Sequence, residues 1–246
     1  MPHPPRRSSL ISITLSGAAL LASMTLMAAV PDLPSAAADT RAAQHAPAQA
    51  AAQHAEGPLL ADAVAALSVA TERREGYQRA SFRHWIDIDR DGCSTRAEVL
   101  IEEAVTPPQA DAACRLSGGS WYSYYDNQHV NDATGLDVDH LVPLAEAWDS
   151  GAYVWDAAQR QAYANDLDEP WHLVAVTARS NRSKADQDVA TWQPPYELAR
   201  CRYAAEWTAI KTRWQLSIDT AEQQALNTLA TACPTQHLPT LTDDQR

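Results

Sequence analysis

Positive charge is scarce in this chain: 19 Lys and Arg stand against 31 Asp and Glu, a formal net charge of -12 over 246 residues. A protein so balanced gets no help from overall charge in approaching a polyanion, so phosphate contacts must come from a local cluster of cations. None of the four cysteines stands in a Cys-x-x-Cys, which argues against the common structural zinc sites. There is no His-Glu-x-x-His either, which sets aside a zinc peptidase of that type. No repeat of fixed period is visible, the signature that solenoids and propellers need. Large apolar residues are missing from about residue 35 to residue 56, a run dominated by Ala, Gln, His, Pro and Thr that cannot build a core. Residues 39–56 are therefore assigned as a disordered linker, with His45 and His54 as linker residues.

The segment before the linker has a different character. Arg6 and Arg7 precede a charge-free run from Leu10 to Val30, and the small-residue triplet Ala36-Ala37-Ala38 follows. This is the layout of an export signal, assigned to residues 1–38, and it implies a secreted, extracellular protein. A retained anchor is the alternative, since the run is marginally long enough to span a bilayer. After cleavage no stable membrane association is expected, and the remaining chain is more acidic still.

The globular domain is placed at residues 57–246. Leu60, Val64 and Leu67 have helical spacing, and Tyr203, Trp207, Ile210 and Trp214 mark the core face of a long helix. Asp219 and Glu222 form a capping box for a last helix ending at Cys233. An even number of cysteines in an exported chain predicts two disulfides. Four cysteines allow three pairings; the sequential one, Cys93 with Cys114 and Cys201 with Cys233, is preferred because each pair brackets one segment. Glu146, Arg200, Arg202, Lys211 and Arg213 are read as solvated helix faces. From Asp87 to Glu98 the sequence fits a calcium-loop template, with acids at Asp87, Asp89 and Asp91, Gly92 at the sixth place and Glu98 at the twelfth. A structural calcium ion there competes with a plain acidic turn tied down by Cys93. The aromatic run Trp121-Tyr122-Ser123-Tyr124-Tyr125 reads as a strand leading into the next one.

That next strand carries the chemistry. In Gly135-Leu136-Asp137-Val138-Asp139-His140-Leu141-Val142-Pro143 the apolar and acidic residues alternate, and Pro143 ends the ladder. Asp139 and His140 thus stand at a strand end, where a carboxylate can hold a metal beside an imidazole suited to proton transfer. Trp171 to Val176 reads as a second strand. Ser180 is expected to cap a helix beginning Asn181-Arg182-Ser183-Lys184. Strand, excursion, strand and helix can bring Asp139 opposite Asn181, a carboxylate and an amide oxygen suited to a magnesium-like ion.

Asp-His-x-x-Pro in the first strand, Asn165 in the connecting segment and Asn-x-x-Lys at the helix resemble the HNH, or His-Me finger, nucleases. Cys93 to Leu100, Asp137 to Trp148 and Asn181 to Asp186 are similar to secreted HNH proteins related to the C-terminal domain of GmrSD-type restriction endonucleases, over about Tyr77 to Cys233. The resemblance implies an α+β fold with a ββα-metal core inside a mainly helical domain. It implies His140 as general base and Asp139 and Asn181 at the metal. Lys184, one of the cations clustered at the helix start, and Asn165, which could instead fix the connecting loop or cap a turn, are counted as further catalytic residues. With Asn181 where many HNH proteins have His, the expected cofactor is Mg2+ rather than zinc or nickel. Arg179 and Arg182 are the candidate phosphate ligands, and Arg96 a candidate clamp on transition-state charge. The expected activity is phosphodiester hydrolysis of nucleic acid, with DNA as substrate. A non-catalytic calcium-binding module built on Asp87 to Glu98 is the alternative.

Overall fold

In the computed structural model, residues 57–240 are described; the assigned signal and linker lie outside them. Seven α-helices, four short 3-10 turns and six short strands make up the regular structure of the described residues. α1 (Leu60–Ala66) and α2 (Thr95–Glu102) precede two hairpins, β1 (Gln109–Ala110) with β2 (Leu116–Ser117), and β3 (Trp121–Ser123) with β4 (Gln128–Val130). Then come β5 (Leu136–His140), α3 (Leu144–Asp149), α4 (Ala157–Ala164), β6 (Leu173–Thr177), α5 (Ala178–Lys184), α6 (Arg200–Arg213) and α7 (Thr220–Ala232). The fold is a mixed α and β one with small sheets and two disulfides, and no helix of the described residues is long and apolar enough to cross a membrane.

β5 and β6 pair antiparallel over their full length, Leu136 opposite Thr177 and His140 opposite Leu173. Alternation gives the pair two faces. Leu136, Val138, Leu173 and Ala175 pack with Val99, Leu100 and Trp121 in the smaller core cluster, while Val174 and Val176 join the larger cluster built on the helices. The ribbon is thus fixed on both sides, which makes the β5 end a stiff mount. The aromatic run does not feed β5 as expected. β3 turns back on β4, Trp121 opposite Val130, because Asn127 adopts a left-handed backbone at the hairpin.

The helix ends follow their caps. Ser94, Asp156 and Asp219 each accept a backbone N–H of the following turn, and the Asp219 and Glu222 box is present in both directions. At α5 the cap is Thr177, whose hydroxyl oxygen accepts the Ser180 N–H, so the helix starts earlier than the Ser180 cap predicted. Asn181 therefore lies within α5 rather than at its first position.

Two charges read as solvated, Glu146 and Lys211, prove buried. The sequence holds only two lysines, Lys184 and Lys211, and both are fully buried. Lys211 Nζ lies 2.5 Å from Glu146 Oε1 and 3.1 Å from Glu222 Oε1, which also buries Glu146. A buried ammonium needs such partners, since desolvation alone costs it several kcal/mol. The disulfides join Cys93 to Cys114 and Cys201 to Cys233, the sequential pairing.

Candidate active site

The end of β5 opens on a cleft of about 340 Å³ lined by Asp139, His140 and Pro143, by Asn181 and Arg182 of α5, and by Arg79 from the segment ahead of α2. Pro143 and Leu144 stop the strand and start α3, so the strand end faces space rather than continuing the ladder.

His140 is 4% exposed, and its Nε2 lies 2.9 Å from the Ala164 carbonyl oxygen. A carbonyl only accepts, so Nε2 carries the proton and Nδ1 presents a lone pair. Burial pushes the imidazole pKa well below the usual histidine range against the pull of the Ala164 bond, and positive neighbours including Arg79 deepen the shift. The ring is thus a neutral base of fixed tautomer. Trp85 covers it, with ring centroids 5.0 Å apart, and His84 stands 6.1 Å away. Trp85 has φ of 57°, an uncommon value for a bulky residue.

Asn165 holds that strained segment in place. Its Nδ2 donates to Arg83 O and Gln161 O at 2.7 and 2.8 Å, and its Oδ1 accepts from Ile86 N and Thr95 Oγ1 at 3.2 and 3.0 Å. All four bonds are internal, so Asn165 clamps the strap carrying Trp85 and faces a different cleft from His140.

Asp139 meets two donors in three contacts. Lys184 Nζ lies 3.0 Å from Oδ1 and 2.8 Å from Oδ2, and the Tyr125 hydroxyl donates to Oδ2 at 2.8 Å. Lys184 also donates to the His140 carbonyl at 3.0 Å. Burial raises the Asp139 pKa, opposed by Lys184 and Tyr125, and burial lowers that of Lys184, opposed by Asp139. Desolvation thus outweighs attraction at both partners, as expected of an ion pair with so little water.

Across the cleft, Asn181 Nδ2 donates to Asp137 Oδ2 at 3.2 Å, and Arg182 Nε lies 3.5 Å from the same oxygen. Asp137 thereby fixes the two α5 side chains that line the cleft. With its Nδ2 so engaged, Asn181 keeps its Oδ1 free of partners. An amide oxygen and a carboxylate line the same cleft, donor types that suit a hard divalent ion, with Lys184 and Tyr125 already taking about three of the carboxylate's four lone-pair sites.

The other predicted residues lie elsewhere. Arg96 Nη2 donates to Leu136 O at 3.1 Å, at the far end of β5 from His140. Arg179 lines a second pocket with Trp192. In the acidic loop, oxygens of Asp87, Asp89 and Asp91 converge to within 4.8 Å. They already accept loop N–H groups, Asp87 from Arg90 and Gly92, Asp89 from Asp91, and Asp91 from Cys93. Glu98 Oε2 is buried with no partner, and burial followed by the nearby Asp89 raises its pKa. Sequence reasoning missed Arg79, Trp85 and Tyr125. Tyr125 lay in the aromatic run read only as strand, and the other two belong to no motif.

A family model described as "GmrSD restriction endonucleases, C-terminal domain" matches residues 98–229, which include β5, β6 and α5. A protein of Arthroderma benhamiae named "Uncharacterized secreted protein" is 41% identical over 160 residues, covering 65% of this chain and 77% of that relative. No solved structure matches. With more than half of its length matched, the chain belongs to the family of the GmrSD restriction endonuclease C-terminal domain.

Proposed function

We propose that this chain is a secreted endonuclease of the HNH, His-Me finger type that hydrolyses phosphodiester bonds in nucleic acid, with DNA as substrate. The observation that carries the reading is the His140 imidazole, held neutral by burial with Nε2 tied to Ala164 and Nδ1 as its free lone pair, in a cleft shared with Asp139 and Asn181. β5, β6 and α5 are read as the ββα-metal core. The two disulfides and the name of the fungal relative support an extracellular location.

One divalent ion, magnesium in this reading, would be held by Asp139 and Asn181 and would supply Lewis-acid stabilisation of charge on the phosphate. His140 Nδ1 removes a proton from the attacking water, a role worth roughly 10²- to 10⁴-fold in rate. Arg182 and Arg79 bind phosphate oxygens in the cleft. Lys184 and Tyr125 hold the Asp139 carboxylate, Asp137 orients Asn181, and Asn165 keeps Trp85 over the base. Water attacks phosphorus opposite the 3′ oxygen as its proton passes to His140, the P–O3′ bond breaks, and the 3′ oxygen takes a proton from solvent water, giving a 5′-phosphate and a 3′-hydroxyl.

The test is plasmid cleavage by the purified protein with magnesium, with and without chelator, beside His140→Ala. Equal cleavage by wild type and variant, or 3′-phosphate ends, sinks the assignment. A structural calcium ion in the Asp87 to Glu98 loop is a second reading, favoured by the unpartnered Glu98 oxygen on the helix that follows the converging carboxylates. Its test is a calcium-dependent rise in melting temperature that Asp87→Ala abolishes.

A further inference from the structure

α5 separates two pockets. Asn181 and Arg182 face the His140 cleft, whereas Arg179, Ser180 and Ser183 line a second pocket of about 480 Å³. At 100° per residue these sets occupy opposite sides of the helix, so a strand held on Arg182 needs only to cross one helix to reach the other side.

The second pocket has the chemistry of a nucleobase site. Trp192 is half buried and braced from behind by two fully buried rings, Tyr125 at 5.3 Å and Tyr203 at 5.7 Å between centroids. Its Nε1 donates to Ser183 Oγ at 3.3 Å, which ties the ring to α5. Gln193 Nε2 donates to Val189 O, and Gln128 Nε2 to Asp126 O and Asn127 O, so each amide is oriented with its oxygen left to accept. An aromatic platform, two acceptors and the exposed Arg179 suit a stacked base and its neighbouring phosphate. The Asp126 carboxylate accepts from the hydroxyls of Ser123, Thr177 and Ser180.

We propose that this pocket is a flanking-nucleotide subsite, in which a base next to the scissile phosphate stacks on Trp192 while Arg179 holds the adjoining phosphate. The proposal rests on the nuclease reading of the His140 cleft. The subsite reports to that cleft through one residue: Tyr125 packs on Trp192 and donates its hydroxyl proton to Asp139. An occupied platform therefore steadies the carboxylate that the chemistry needs.

The experiment measures binding of a fluorescent single-stranded 12-mer to the full secreted chain in chelator, which prevents hydrolysis. Trp192→Ala is expected to weaken binding by roughly 5- to 100-fold, the range of one lost base stack, and Trp192→Phe to recover most of it. Arg179→Ala is expected to lower the slope of log affinity against log salt by about one. If circular dichroism shows Trp192→Ala to be unfolded, the Arg179→Ala salt slope and Trp192→Phe decide. Binding within twofold of wild type in both Trp192→Ala and Arg179→Ala, or an unchanged salt slope when Arg179 decides, overturns the subsite. Hydrolysis of bis(p-nitrophenyl) phosphate by wild type with magnesium separates the two readings. If wild type hydrolyses it and the subsite variants bind normally, only the subsite falls; if wild type hydrolyses neither it nor plasmid, the nuclease reading and the subsite fall together.

Discussion

Lys184 and Asp139 form a contact ion pair inside the protein, 2.8 Å apart and with 0% and 7% of their side chains exposed. The partners come from α5 and from the end of β5, so the pair joins the helix to the strand that carries His140. Lys184→Met leaves a buried carboxylate with only Tyr125 for company and is expected to cost about 3–5 kcal/mol, the usual penalty for removing one partner of a buried pair. Urea unfolding of wild type and variant measures it. A loss below about 1 kcal/mol contradicts this account of the pair.

The acid side of both activity and stability follows from two buried histidines. His140 is held well below the usual range, chiefly by burial, so the acid limb of kcat/KM should lie below about pH 6.5. A limb at or above that value removes His140 from the role of base. His172, also buried, is lowered to about 4. Between pH 6.5 and about 4 the unfolded chain takes up a proton at this position that the folded chain refuses. The His172 contribution to stability is therefore expected to fall as pH drops through that window and to be absent above it, while Glu103 and Glu222, raised to about 8 by burial, act in the opposite sense. Melting temperatures of wild type and His172→Gln at pH 8, 6 and 4.5, compared pairwise so that the carboxylates cancel, test the sign.

Asn165 should act on rate through Trp85. Asn165→Ala removes four hydrogen bonds and frees the 83–86 strap, with an expected loss of about 1–3 kcal/mol. The activity expectation is a fall in kcat of roughly 10- to 100-fold, with KM little moved, because the base is misplaced while the phosphate ligands stay. Near-ultraviolet circular dichroism should change with it. A fall confined to KM is evidence against the strap account.

Lys211 lies between two enclosed carboxylates: against burial it holds Glu146 below the usual carboxylate range, while burial pushes Glu222 up to about 8 in spite of it. In Lys211→Met both lose their cation, and protonation becomes the way to relieve them. Carboxylates with raised pKa in the folded state bind more protons than in the unfolded chain, so the variant's deficit should be largest at neutral pH and shrink on acidification through their raised pKa. Thermal melts of wild type and variant from pH 8 to pH 5 give the comparison. A deficit that grows on acidification is the contrary result.

Local rules carried the reading of β5, where alternation and Pro143 set both ends, and of α7, where Asp219 and Glu222 announce the start. The cysteine pairing was legible because each bridge closes a short segment. Sequence pattern failed where partners are distant. Glu146 and Lys211 meet across 65 residues, and each looks like a surface charge on its own helix. Asn165 supplied a polar residue in the expected segment, yet its role depends on a strap some 80 residues earlier. Arg79, Trp85 and Tyr125 reach the cleft through tertiary packing that no local periodicity encodes. At α5 two hydroxyl residues compete for the cap, and Thr177 prevails because it ends β6 and also donates to Asp126.

Because both lysines are sealed inside the fold, the positive surface of this domain is made of guanidinium groups alone, histidines aside. Guanidinium groups are planar forks that grip phosphate in two places and keep their charge at any pH the folded protein meets. Acylating reagents and enzymes that act on side-chain amines find no accessible target on it. On the nuclease reading, contact with a polyanion is thereby insulated from the commonest chemical means of cancelling a cation.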